Sequence, residues 1–178
     1  MINKESDIEN AIENKAGWSG EKPLKPGVRI AVDVGKVRVG IAKTDQDAIL
    51  ALPVGTFRRG QDDITGVLDI ISQEDVCAVY VGLPLNMDGS IGSTARNAQK
   101  WAQRLAKMIA PIPVRMIDER LSSVSAHRQL QEAGLREIKH KPLVDQAAAV
   151  IILESALDFA RRTGRQPGLS VKGLDSEN

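Results

Sequence analysis

Residues 28–44 read VRIAVDVGKVRVGIAKT, and this stretch decides the fold. Residues 28–34 are short and rich in β-branched side chains, which predicts a strand. Gly35 follows, and residues 37–44 give a second strand close enough to pair with the first as a hairpin. Asp33 lies inside the first strand among Ile30, Ala31, Val32 and Val34. A carboxylate in such surroundings is costly unless it is paired or bound to a metal ion.

Working outward, residues 49–57 (ILALPVGTF) predict a third strand, and Pro53 within it points to a sheet edge. Residues 62–74 place Ile64, Val67, Leu68 and Ile71 on one helical face. Residues 76–83 (VCAVYVGL) are apolar throughout, as a central strand covered on both faces requires. A nine-residue loop, PLNMDGSIG at 84–92, is long for a strand-to-helix link, and long loops at this edge tend to carry function. Ser93 is expected to cap a helix with Ala98, Trp101, Ala102, Leu105 and Ile109 on its apolar side, stopped by Pro111. Residues 113–117 predict a fifth strand. Ser122 or Ser123 is expected to cap a helix ending at Gly134, and Pro142 to open a last helix reaching about residue 162. Three leading strands on short links are antiparallel, and later strands reached through helices are parallel to their neighbours. The expected class is α/β: a mixed five-stranded sheet with helices on both faces.

The 178 residues suit one domain, residues 27–162, between a polar N-terminal extension at 1–26 and a loose tail at 163–178, both expected to be flexible. Hydrophobic residues make up 42%, enough for a core without staples. A single cysteine, Cys77, fits a reducing compartment and plain strand core. No stretch is long and apolar enough to span a membrane, and residues 1–20 lack a signal-peptide core, so the expected location is cytoplasmic. Aromatic residues are only 3%, which argues against base-stacking platforms.

Acidic residues stand at the ends of apolar elements. Besides Asp33, Asp118 and Glu119 follow the fifth strand, and Asp145 lies in the first turn of the last helix. Taken alone, Asp145 suits the helix dipole, and the Asp118-Glu119-Arg120 trio could be a salt-bridge cluster. Ligand sites of α/β sheets gather at the carboxyl ends of parallel strands, and convergent carboxylates there would hold one or two Mg²⁺ ions. Gly35 and Gly40 bracket the hairpin, and a glycine there allows close approach to a phosphate. The charge of +1 hides a division. Residues 96–141 hold ten Lys/Arg against four acids, or +6, and the rest fourteen against nineteen, or −5. A basic half beside an acidic pocket suits a phosphodiester substrate with metal.

The blocks VRIAVDVGKVRVGIAKTD, VYVGLPLNMDGSIG, DERLSSVSA and VDQAAAVIILES fall in the order of the bacterial pre-16S rRNA nuclease family, which the chain resembles over about residues 28–157. Its members are also described as Holliday-junction-resolvase-like. The resemblance implies an RNase-H-like fold and hydrolysis of phosphodiester bonds with Mg²⁺ or Mn²⁺. It implies Asp33, Glu119 and Asp145 as catalytic and metal-holding residues, with Asp118 as a further ligand and Glu119 favoured over it. It also implies contacts to nucleic acid from Gly35, Lys36, Arg38, Asn86, Arg120 and Lys141. Family members usually carry Lys before the motif arginine, where this chain has Val37, with Lys36 one place earlier. The implied partners are pre-16S rRNA, ribosomal precursor particles or branched DNA, bound by a monomer or a homodimer. Two other classes compete: a fragment of an actin-like kinase, for which 178 residues are too few, and a non-catalytic nucleic-acid-binding module, which would have little reason to keep buried acids.

Overall fold

The computed structural model describes residues 24–60, 62–121 and 141–172. The hairpin forms as its sequence requires. Strand β1 (Val28–Val34) pairs antiparallel with β2 (Arg38–Thr44), and β2 pairs antiparallel with β3 (Ala51–Arg58). β3 is the edge strand expected from Pro53. Helix α1 (Thr65–Gln73) leads to β4 (Val76–Leu83), which runs parallel beside β1. Helix α2 (Ser93–Ile109) leads to β5 (Val114–Asp118), parallel to β4. A 3-10 turn, Glu119–Leu121, follows, and helix α3 (Lys141–Thr163) closes the second face.

The sheet is mixed, in the order β3-β2-β1-β4-β5-β6. Among the described residues it has six strands rather than the five expected, because Leu169–Ser170 forms β6, antiparallel to β5. That pair lies in the segment expected to be a loose tail. Arg115 of β5 draws it in, donating from Nε to Pro167 O at 2.5 Å and from Nη2 to Gly168 O at 2.6 Å. Gly168, at φ +70°, lets the backbone close onto Met116 O, where a Cβ would collide. The expected extension lies largely outside the described residues, as does the helix expected to end at Gly134.

Each sheet face has its own core. Ile30, Val32, Ile41, Val79 and Met116 meet Val67 of α1 and Trp101 and Leu105 of α2. Ala31, Ala42, Ala78, Tyr80 and Ile117 meet Ala149, Ile152, Leu153, Ala156 and Leu157 of α3. The small residues on the second face let α3 lie close to the sheet. Ser93 is the first helical residue of α2 and not its cap: Gly92 occupies the N-cap position, with no side-chain hydrogen bond there. Among the described residues no helix is long and apolar enough to cross a membrane.

Candidate active site

Strand alternation brings the acids together. Ala31 of β1 belongs to the α3 face, so Asp33, two residues on, projects to that face at the carboxyl end of the strand. Its partner on β2 is Gly40. On β4 it stands one step past the Val32–Val81 pair, level with Gly82. Gly40 and Gly82 share the face of Ala42 and Tyr80, two residues along their own strands. The carboxylate of Asp33 therefore stands between two positions without side chains, yet it is only 6% exposed.

Glu119 enters this trough from β5. Ile117 lies on the α3 face, and Glu119 follows two residues later, just as the strand ends. Its side chain turns back over β4. A Cβ on Gly82 would collide with Glu119 Oε1 and would lie 2.7 Å from Ile152 Cδ1 of α3. Glu119 is 4% exposed. Two buried carboxylates thus share one face and one end of the sheet, beneath the amino-terminal half of α3. Gln146 pins that half of the helix to the edge strand, donating from Nε2 to Thr56 Oγ1 at 3.2 Å, and Thr56 is the β3 partner of Gly40.

Asp118 is paired with Arg120. Arg120 Nη2 donates to its Oδ2 at 2.8 Å and Nε to its Oδ1 at 3.1 Å, while the Arg120 backbone N–H donates to Oδ1 at 2.9 Å. Burial raises the carboxyl pKa of Asp118, but these bonds to Arg120 outweigh it and hold the group below the ordinary carboxylate range. Arg120 also reaches the 84–92 loop, with Nη1 3.1 Å from the place a Cβ would take on Gly89, at φ +86°. Asn86 braces that loop: its Nδ2 donates to Ser90 Oγ at 2.8 Å, and Ser90 Oγ donates to Asp88 Oδ1 at 2.6 Å.

The β1–β2 turn follows directly on Asp33. Gly35 N–H donates to Arg38 O at 2.9 Å, and a Cβ on Gly35 would come within 2.8 Å of that oxygen. Lys36 is exposed and Arg38 half-buried. Sequence reasoning missed what holds this turn. Arg59 Nη1 donates to Gly35 O at 2.8 Å, and its Nε lies 3.2 Å from Asp63 Oδ2. Asp63 is 2% exposed, accepts from Trp101 Nε1 at 2.9 Å, and takes Arg104 Nη2 at 3.6 Å. A buried tryptophan needs a partner for its N–H, and that requirement was the available clue.

Lys141 and Asp145 lie in the first two turns of α3, though their side chains lie outside those described. Asp145 precedes Ile152 by two turns, which puts its Cα on the helix stripe that faces the trough. Among the described residues, no group of three or more His, Cys, Asp or Glu is poised to hold a metal ion; Asp33 and Glu119 are the described pair.

This mixed sheet, with acids at the carboxyl ends of β1 and β5 and a helix laid across them, defines an RNase-H-like protein. A solved structure of Thermus thermophilus RuvC in complex with a Holliday junction substrate has the same fold, with a TM-score of 0.51 at 17% identity over 79% of this chain and 98% of that one. The chain belongs to the RuvX family, described as Holliday junction resolvase, whose model matches residues 27–159. Relatives named "Putative pre-16S rRNA nuclease" are similar over most of its length. The one from Kineococcus radiotolerans is 44% identical over 84% of this chain and 81% of its own. The one from Nocardioides sp. is 43% identical over 82% and 96%, and the one from Thermobifida fusca 41% over 84% and 99%.

Proposed function

We propose that this chain is a metal-dependent endonuclease that hydrolyses phosphodiester bonds and trims the 5′ end of pre-16S rRNA during ribosome biogenesis. The observation that carries the reading is the burial of Asp33 and Glu119 in one glycine-floored trough at the carboxyl end of the sheet. Two buried carboxylates on one face and at one end of the sheet are a donor set that a hard divalent cation would suit. Oxygen donors alone suit Mg²⁺ or Mn²⁺, held by Asp33, Glu119 and Asp145. Such a cation lowers the pKa of a water and offsets charge on the reacting phosphate.

The chain's own residues do the rest. Gly82 leaves room for the Glu119 carboxylate over β4, at the strand position level with Asp33. Asp118 fixes the guanidinium of Arg120, so that its outer edge meets a flanking phosphate without first losing rotamer freedom. Lys36 and Arg38 follow Asp33 around the Gly35 turn and the Asn86 loop follows β4 at its carboxyl end, and these, with Lys141 at the start of α3, are the proposed contacts to nucleic acid. These are backbone contacts, so selection of the cut rests on substrate shape, in a free transcript or a precursor particle. The setting is the cytoplasm, with the enzyme acting as a monomer or a homodimer.

The experiment is depletion in cells, followed by mapping of 16S rRNA 5′ ends and of recombination intermediates. Extended 5′ ends, restored by wild type and not by Asp33→Asn, are expected. The description of the matching family supports a second reading, resolution of branched DNA. Accumulated junctions with mature rRNA ends would favour that reading and overturn the first.

A further inference from the structure

A second site lies at the other end of α3. A cavity of about 480 Å³ opens where β1 and β4 begin, on the same face as Asp33. Arg29 and Asp33 are four residues apart on β1, which is roughly 13 Å along a strand. Ala160 and Gly164 at the carboxyl end of α3 close the cavity, whereas the amino-terminal half of the helix covers the acids.

Its charge is one-sided. Lys25, Arg29, Arg115 and Arg165 line it, and among the described residues no carboxylate does. Arg29 is 8% exposed, so its guanidinium is a buried charge. Nη1 donates to Gly27 O at 2.7 Å and Nη2 to Lys25 O at 2.9 Å. Arg115 likewise meets the carbonyls of Pro167 and Gly168 and the Gln166 amide oxygen. Among the described residues, neither guanidinium has a carboxylate partner within salt-bridge distance. Carbonyl dipoles satisfy N–H donors but do not neutralise a charge, and buried charges are ordinarily paired. Burial pushes the Tyr80 phenol and the Cys77 thiol up, so neither wall group offers an anion at neutral pH.

The rest of the lining is largely apolar and includes Pro26, Pro113, Pro167 and the Tyr80 ring. The volume exceeds what a phosphate ion fills and falls in the range of small-molecule sites. Proline and tyrosine surfaces beside several cations suit an apolar ring body carrying an anionic group. We propose that this cavity binds a nucleoside 5′-phosphate, as a free mononucleotide or as the end of a strand, separately from the acidic trough.

Calorimetric titration of the full chain with adenosine 5′-monophosphate, adenosine and inorganic phosphate tests this. Saturable binding of the nucleotide is expected, with adenosine roughly tenfold or more weaker and phosphate competing. The exposed double reversal Lys25→Glu/Arg165→Glu should weaken nucleotide binding about tenfold or more without touching the core. Asp33→Asn should leave that binding unchanged, and this separates the cavity from the trough whatever reaction the trough performs. A 5′-phosphorylated tetraribonucleotide binding more tightly than the mononucleotide would assign the site to a strand end, and the reverse order to the free nucleotide. No nucleotide binding at millimolar concentration, adenosine binding as well as its phosphate, or binding lost in Asp33→Asn and kept in the double reversal would each overturn the proposal.

Discussion

The missing side chain of Gly82 is what lets Glu119 turn back over the sheet. Gly82→Ala places a Cβ against Glu119 Oε1 and Ile152 Cδ1, so the carboxylate or the helix must give way. Overpacking of this kind costs about 1–3 kcal/mol. Misplacing a reacting group by about 1 Å costs roughly a hundredfold in rate. Cleavage of a model RNA by folded Gly82→Ala should therefore fall about a hundredfold, and a rate equal to wild type would show that Glu119 is not needed there. Asp118 makes a different prediction. Its folded pKa lies below the ordinary 3.8, through Arg120. A depressed carboxylate pKa stabilises the fold above the unfolded value, and that contribution is lost as pH falls through the folded pKa. Urea denaturation should show wild type more stable than Asp118→Asn near neutral pH, with the gap closing below about pH 4. A gap that stays constant down to pH 2 would show that the pairing with Arg120 contributes nothing. The sequence alone put Asp118 and Glu119 forward together; strand alternation separates them, sending Glu119 to the trough and Asp118 to Arg120.

Elements here are held to one another by a few buried polar groups. Asp63, at the entrance to α1, receives Trp101 from α2 and Arg59 from the end of β3, and Arg59 in turn grips the Gly35 turn. Asp63→Ala leaves a buried indole N–H and a part-buried guanidinium without their acceptor. Breaking a buried pair from one side costs about 3–5 kcal/mol. Urea unfolding should show a loss near the lower figure, since Arg59 keeps its bond to Gly35 O, and Trp101→Phe should lose only about 1 kcal/mol. A loss for Asp63→Ala below that of Trp101→Phe would refute the network. The elements themselves were mostly legible. The hairpin follows from two β-branched runs around Gly35, the edge position of β3 from Pro53, and the central place of β4 from its unbroken apolar run. Strand β6 was not, because two residues carry no periodicity. Its pairing depends on Arg115, more than fifty positions away in sequence, and on the close approach that Gly168 allows. The Asp63 network was hidden for the same reason: its partners are 38 residues apart, and local patterning says nothing of them.

At the scale of the whole molecule, the near-neutral chain separates its charges in space. Buried acids lie at one end of the α3 face, and at the other gather cations with no carboxylate partner among the described residues. On the proposed reading a cation held by Asp33 and Glu119 would link metal binding to folding. A ligand that binds only the folded state at a hundred times its dissociation constant adds about 2.7 kcal/mol. For a chain of this size each kcal/mol moves Tm by about 2–4 °C. Saturating Mn²⁺ should thus raise the Tm of wild type by roughly 5–10 °C. Asp33→Asn removes one of the proposed metal-holding carboxylates, so it should gain little from Mn²⁺. Scanning calorimetry of both proteins with EDTA and with Mn²⁺ checks this, each protein being compared with its own metal-free midpoint. An equal rise in both would place the cation elsewhere than Asp33.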